Sequence, residues 1–113
     1  MRKGQTMTRR GVTVKDLGHH ETRNGIAWSA EVVVLGMRFR VENDGNGGCD
    51  SWDRIDAAAH MQDGLREACA FIAPIARTEP ALAEYADILE NDAEAAGMFV
   101  SAMLDGAFRV VQA

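Results

Sequence analysis

At 113 residues, with 47% apolar residues and two prolines, the chain has room for one packed domain and is too apolar to stay disordered. No apolar run reaches the roughly 18 residues of a membrane span, and no apolar stretch follows the charged amino terminus, so a membrane protein and a secretory leader are both unexpected. The net charge of −5 is unevenly spread: Arg2, Lys3, Arg9 and Arg10 stand alone at the start, whereas from Glu42 onward 4 basic residues face 14 acidic ones. Such a body repels nucleic acid and attracts cationic surfaces.

Residues 1–10 read as a flexible basic tail, and residues 11–113 as a single α+β domain. Val12 and Val14 alternate with Thr13 and Lys15, which predicts a short strand ending near Leu17. Residues 18–25 form a polar turn closed by Asn24-Gly25, a strong hairpin signal. Ile26, Trp28, Ala30, Val32 and Val34 then fall on one face of a second strand. After the reversal at Leu35-Gly36, Met37, Phe39 and Val41 alternate with Arg38, Arg40 and Glu42 in a third.

Beyond Asn43 the chain enters a Gly/Asn/Asp-rich loop, and the period becomes helical. Asp50 or Ser51 suits the cap of a first helix, with Asp53 in its first turn and Ile55, Ala58, Ala59, Gln62, Leu65, Ala68, Cys69 and Ile72 along its apolar stripe. Pro74 should end or kink it. Glu79-Pro80 suits the first turn of a second helix, and Asn91 or Asp92 the cap of a third carrying Phe99, Val100, Met103 and Leu104. The expected fold is therefore a three-stranded antiparallel sheet followed by two or three helices packed on one face.

The loop invites several chemistries. Counted from Glu42, oxygen-bearing residues fall at calcium-loop spacing (Glu42, Asp44, Asn46, Asp50, Asp53), although Glu opens the series, Asp closes it and a strand leads in. Gly45, Gly47 and Gly48 before a helix could present amides to a phosphate, but neither the dinucleotide fingerprint nor a P-loop is complete and the flanking carboxylates oppose an anion. His19 and His20 are adjacent on a turn, and His60 sits beside Asp56 and Asp63 without a metal-binding motif. A thiolate at Cys49 activated by a histidine lacks any oxyanion-hole signature. Two cysteines are too few for a disulfide framework, and Cys69 reads as a core residue. No cofactor is expected.

Trp28-Ser29-Ala30 in a hairpin strand, followed by Val41-Glu42-Asn43-Asp44-Gly45-Asn46-Gly47-Gly48, resembles small proteins encoded by phages and mobile elements. The likeness covers residues 26–52 and transfers no catalytic residue. It implies the setting of small acidic phage proteins, among them anti-CRISPR inhibitors that bind nucleic-acid-handling complexes, and so residence in a host cytoplasm. Two readings follow. The first is a non-enzymatic protein-binding module whose partner, such as a CRISPR effector, offers a basic surface to Asp44, Asn46, Asp50, Trp52 and Asp53 of the loop and to Glu84, Asp87, Glu90, Asp92 and Glu94 of the helical half. The second is a small-ligand or calcium-like metal module, or a small enzyme, built on residues 42–53. Trp28 and the Met98/Met103 helix face read as core.

Overall fold

The computed structural model describes residues 1–45, 50–56 and 64–106. Five strands run as an antiparallel meander: β1 (Thr6–Arg9), β2 (Val12–Thr22), β3 (Gly25–Val34), β4 (Met37–Asn43) and β5 (Ser51–Arg54), each paired with its neighbour in sequence. Two α-helices follow, α1 (Leu65–Arg77) and α2 (Asp92–Asp105), joined through short 3₁₀ turns at Pro80–Tyr85 and Ile88–Glu90. The α+β class holds, with five strands in place of the three expected.

Turn chemistry explains the meander. Arg10 and Gly11 join β1 to β2 at φ 52° and 86°, and Leu35 and Gly36 join β3 to β4 at φ 53° and 74°. Two consecutive positive φ values match the right-handed twist of the flanking strands. β2 and β3 meet through Arg23-Asn24, with Thr22 opposite Gly25. β2 is much longer than its apolar alternation suggested, because the register shifts between Asp16 and Gly18. That bulge puts Asp16 opposite Ala30 but His19 opposite Trp28, so the side-chain parity of β2 flips along its length. Asp16 is buried, and its carboxylate accepts the Gly18 amide at 2.8 Å.

Four expectations are corrected. Residues 6–9 form an edge strand instead of lying in a loose tail. Arg9 from that strand makes a two-pronged contact with the buried Glu79, its Nε and Nη2 donating at 2.7 and 2.8 Å. Residues 51–54 form β5 where a helix was expected. Trp52 pairs opposite Val41 and packs edge-to-face on Phe39, ring centroids 5.7 Å apart, burying an indole that a first helical turn would leave exposed. Pro74 lies inside α1 and does not stop it, and the segment after Pro80 is 3₁₀ where an α-helix was expected. Asn91 does cap the last helix, its Oδ1 accepting the Glu94 amide at 3.0 Å, and its extended backbone separates α2 from the preceding turns.

The helices cover one sheet face. Val12, Val14, Val32, Phe39 and Val41 pack against Ile72 of α1 and Phe99, Val100 and Met103 of α2. Alanines 68, 73, 76, 95 and 96 are buried between the layers. Cys69 belongs to this core as expected, and burial pushes its thiol pKa up. The opposite face is polar and laced by ion pairs, Arg38 with Glu31 and Arg40 with Glu42. Among the described residues no helix is long and apolar enough to cross a membrane.

Candidate functional site

Where β3 and β4 reach past the end of the core, their helix-facing residues become Trp28 and Asn43, and beside them stand Asp50, just before β5, and Trp52 within it. Opposite them α2 presents Glu94, Gly97, Met98 and Ser101. The gap between these walls is a groove of about 480 Å³, within the usual size range of ligand pockets.

Asn43 organises its floor. The Asn43 Oδ1 accepts the Gly45 amide at 2.8 Å, and its Nδ2 donates to Asp50 Oδ1 at 2.7 Å, so one side chain braces both described ends of the loop. The loop also sits tight against the β2–β3 hairpin. A β-carbon on Gly25 would lie 2.7 Å from the Gly45 carbonyl oxygen, and one on Gly45 would lie 2.9 Å from Thr22 Oγ1. These glycines serve close backbone approach, as a glycine-rich loop suggests.

Asp50 projects from the sheet to the backbone of α2. Its Oδ2 occupies the space that a β-carbon at Gly97 would fill. Burial pushes the Asp50 pKa up, opposed by the hydrogen bond from Asn43. No fully buried side-chain polar atom among the described residues lacks a hydrogen bond. Asp50 Oδ2 has no such partner among the described residues, and Asp50 lines the groove.

The remaining expected site residues scatter. Asp53 is exposed beside Arg40 on the polar face of the sheet, and Glu42 is exposed on that same face. Asp50 turns the other way, so the carboxylates of the calcium-like spacing do not converge; among the described residues no three His, Cys, Asp or Glu side chains are grouped to hold a metal. Asp44 is exposed at the loop entrance, and Asn46, Cys49 and His60 lie outside the described residues. β5, where a helix was expected after the loop, removes the basis of the phosphate cradle. His19 and His20 are successive strand residues and point to opposite faces.

In the helical half, Asp92 is ion-paired with Arg77 at 2.7 Å, and Arg77 also donates to the carbonyls of Leu89 and Glu90. That carboxylate is spent on structure. Glu84, Asp87, Glu90 and Glu94 are exposed and make no ion pair among the described residues. They surround Tyr85 and Ile88, which are 39% and 43% exposed. The structure thus brings Asp50, Trp52 and Glu94 into one groove and leaves Glu84, Asp87 and Glu90 outside its lining. Sequence reasoning missed Asn43 and Gly97. A glycine inside an otherwise strong helical pattern was the available signal for the second.

A wider depression of about 630 Å³ lies beside the β2–β3 hairpin. Its described lining includes Lys3, His19 and His20 as well as Glu42 and Asp44, so its walls favour neither charge sign.

No protein-family model, curated protein or solved structure gives a significant match to the chain.

Proposed function

We propose that this chain is a protein-binding module, not an enzyme, and that it engages a basic surface through the segment 84–94. The observation that supports this most directly is the set of exposed carboxylates Glu84, Asp87, Glu90 and Glu94 near Tyr85 and Ile88, none of them ion-paired among the described residues. An aromatic and an aliphatic anchor inside a charged rim is the composition of an interface hot spot. The excess of acidic residues from Glu42 onward adds to the same field and speeds encounter with a cationic partner. The phage-like hairpin and loop make a nucleic-acid-handling complex, such as a CRISPR effector, the partner to try first.

The test is capture from the native host at low and high salt, with wild type and with E84K/D87K/E90K. A partner held at low salt, released at high salt and lost to the triple variant supports the reading. Absence of any salt-sensitive partner, or equal capture by the variant, overturns it.

A further inference from the structure

We infer that the groove between the sheet end and α2 is a receptor for an arginine side chain, with guanidinium as the group it recognises. The inference rests on the protein-binding reading, since the arginine belongs to the partner, but it concerns a separate, concave site.

Charge sets the sign of the occupant. Among the described residues that line the groove, Asp50 and Glu94 are acidic and none is Lys, Arg or His. An anion is therefore repelled. A neutral apolar occupant fares little better, because it would bury Asp50 Oδ2 with no hydrogen-bond donor. A cation that also donates hydrogen bonds satisfies both conditions.

Shape and surface choose among cations. The half-buried Trp28 and the largely buried Trp52 line the same groove, and the indole of Trp28, with more of its surface open, attracts a cation, best when water is displaced. Guanidinium is planar and weakly hydrated, so it stacks on indole at a smaller desolvation cost than ammonium. Its several N–H donors can address more than one acceptor. Here Asp50 Oδ2 lies in the floor, Glu94 stands on the α2 wall, and the Asp50 Oδ1 is already taken by Asn43. Gly97 completes the floor by leaving room for the carboxylate.

The same two residues supply the readout. Trp28 and Trp52 are the chain's two tryptophans, and both line the groove, so intrinsic fluorescence reports its occupancy. The full chain is titrated with N-acetyl-arginine methylamide, with the citrulline analogue as its neutral isostere and with the lysine analogue. A saturable fluorescence change with the arginine compound supports the inference. So does a loss of at least about tenfold in affinity in D50N and E94Q, as removing a charge-assisted contact predicts. The lysine analogue should bind more weakly and the citrulline analogue not at all. No saturable change, citrulline binding as well as arginine, lysine matching arginine, or indifference to both substitutions overturns it. Host capture at two salt concentrations is independent of this titration. Arginine binding without a salt-sensitive partner therefore sinks the module reading alone, and the converse result sinks the groove alone.

Discussion

The carboxylate of Asp50 lies where residue 97 would carry its β-carbon, so the glycine at 97 and the acid at 50 form one packing unit across the sheet–helix interface. Alanine in a helix interior ordinarily gains about 1 kcal/mol over glycine. At this position the sign should reverse. Gly97→Ala forces Asp50 aside and breaks its hydrogen bond from Asn43, with an expected cost of about 1–2 kcal/mol, in the range of overpacking. In a D50A background the nearest remaining Asp50 atom is its β-carbon, at an ordinary 3.9 Å, and G97A should then stabilise by up to about 1 kcal/mol. Urea denaturation of wild type, G97A, D50A and the double variant decides it. An equal effect of G97A in both backgrounds would show that the two residues are uncoupled.

Asp50 itself should cost stability at neutral pH. Burial raises its pKa above the ordinary 3.8, so the folded state binds the proton more tightly than the unfolded chain does. Stability from this group is therefore greatest below pH 3.8 and falls as pH rises through the folded value. D50N removes that penalty while its amide oxygen can still accept from Asn43. The variant should have a higher Tm than wild type at pH 7, and the gap should close at low pH. A D50N protein that is more stable yet blind to arginine would mark Asp50 as a residue kept for binding. A lower Tm for D50N at pH 7 would contradict this account.

The parts of the fold legible in the sequence are those written in local chemistry. Leu35-Gly36, the alternation of β4 and the Asn91 cap are set by neighbours within a few residues, and each forms as expected. What failed to show depends on distant partners. Residues 51–54 carry a serine and one acid, Asp53, that fit a helix start as well as a strand, and the contact that decides between them is Trp52 on Phe39, thirteen positions upstream. Residues 6–9 look like a charged tail until Arg9 finds Glu79. The bulge near Leu17 hides half of β2, since parity arguments end where the register shifts. For the groove, Asp50 and Trp52 could be named as candidates from loop composition. Their convergence with Glu94 and Gly97 is a product of tertiary packing alone.

Leu35 offers a test of turn strain. Its φ of 53° lies in the left-handed region that disfavours β-carbon-bearing residues, and its side chain is 53% exposed, so it has little packing to lose. Asparagine tolerates this conformation and is preferred in such turns. L35N should stabilise the protein by about 0.5–1 kcal/mol. That corresponds to a Tm rise of roughly 2–5 °C for a domain of this size, measured by thermal denaturation. Arg10 has a similar φ but is a poorer site for the same change, because its guanidinium donates to Thr78 Oγ1 at 2.7 Å. An unchanged or lower Tm for L35N would show that the turn carries no relievable strain.

The Arg9–Glu79 pair fastens the first strand to the helical layer, and its loss should be felt at both ends. The Glu79 side chain is 3% exposed and that of Arg9 31%, so the pair is buried on one side only. Removing one partner of a fully buried pair costs about 3–5 kcal/mol; E79A should cost less, about 2–3 kcal/mol. The hydrogen bonds from Arg9 hold the Glu79 pKa below the ordinary 4.5. A depressed folded pKa gives stability that is fully present above the unfolded value and lost as pH falls through the folded one. Wild type should therefore lose urea resistance below about pH 4.5, and E79Q should lose less over the same window because it has no proton to take up. Amide hydrogen exchange adds the spatial readout. In E79A the amides of β1 should exchange faster while those of α2 follow only the global loss of stability. Uniform acceleration across the chain would instead mean that β1 is held by its pairing with β2 alone, with no help from Glu79.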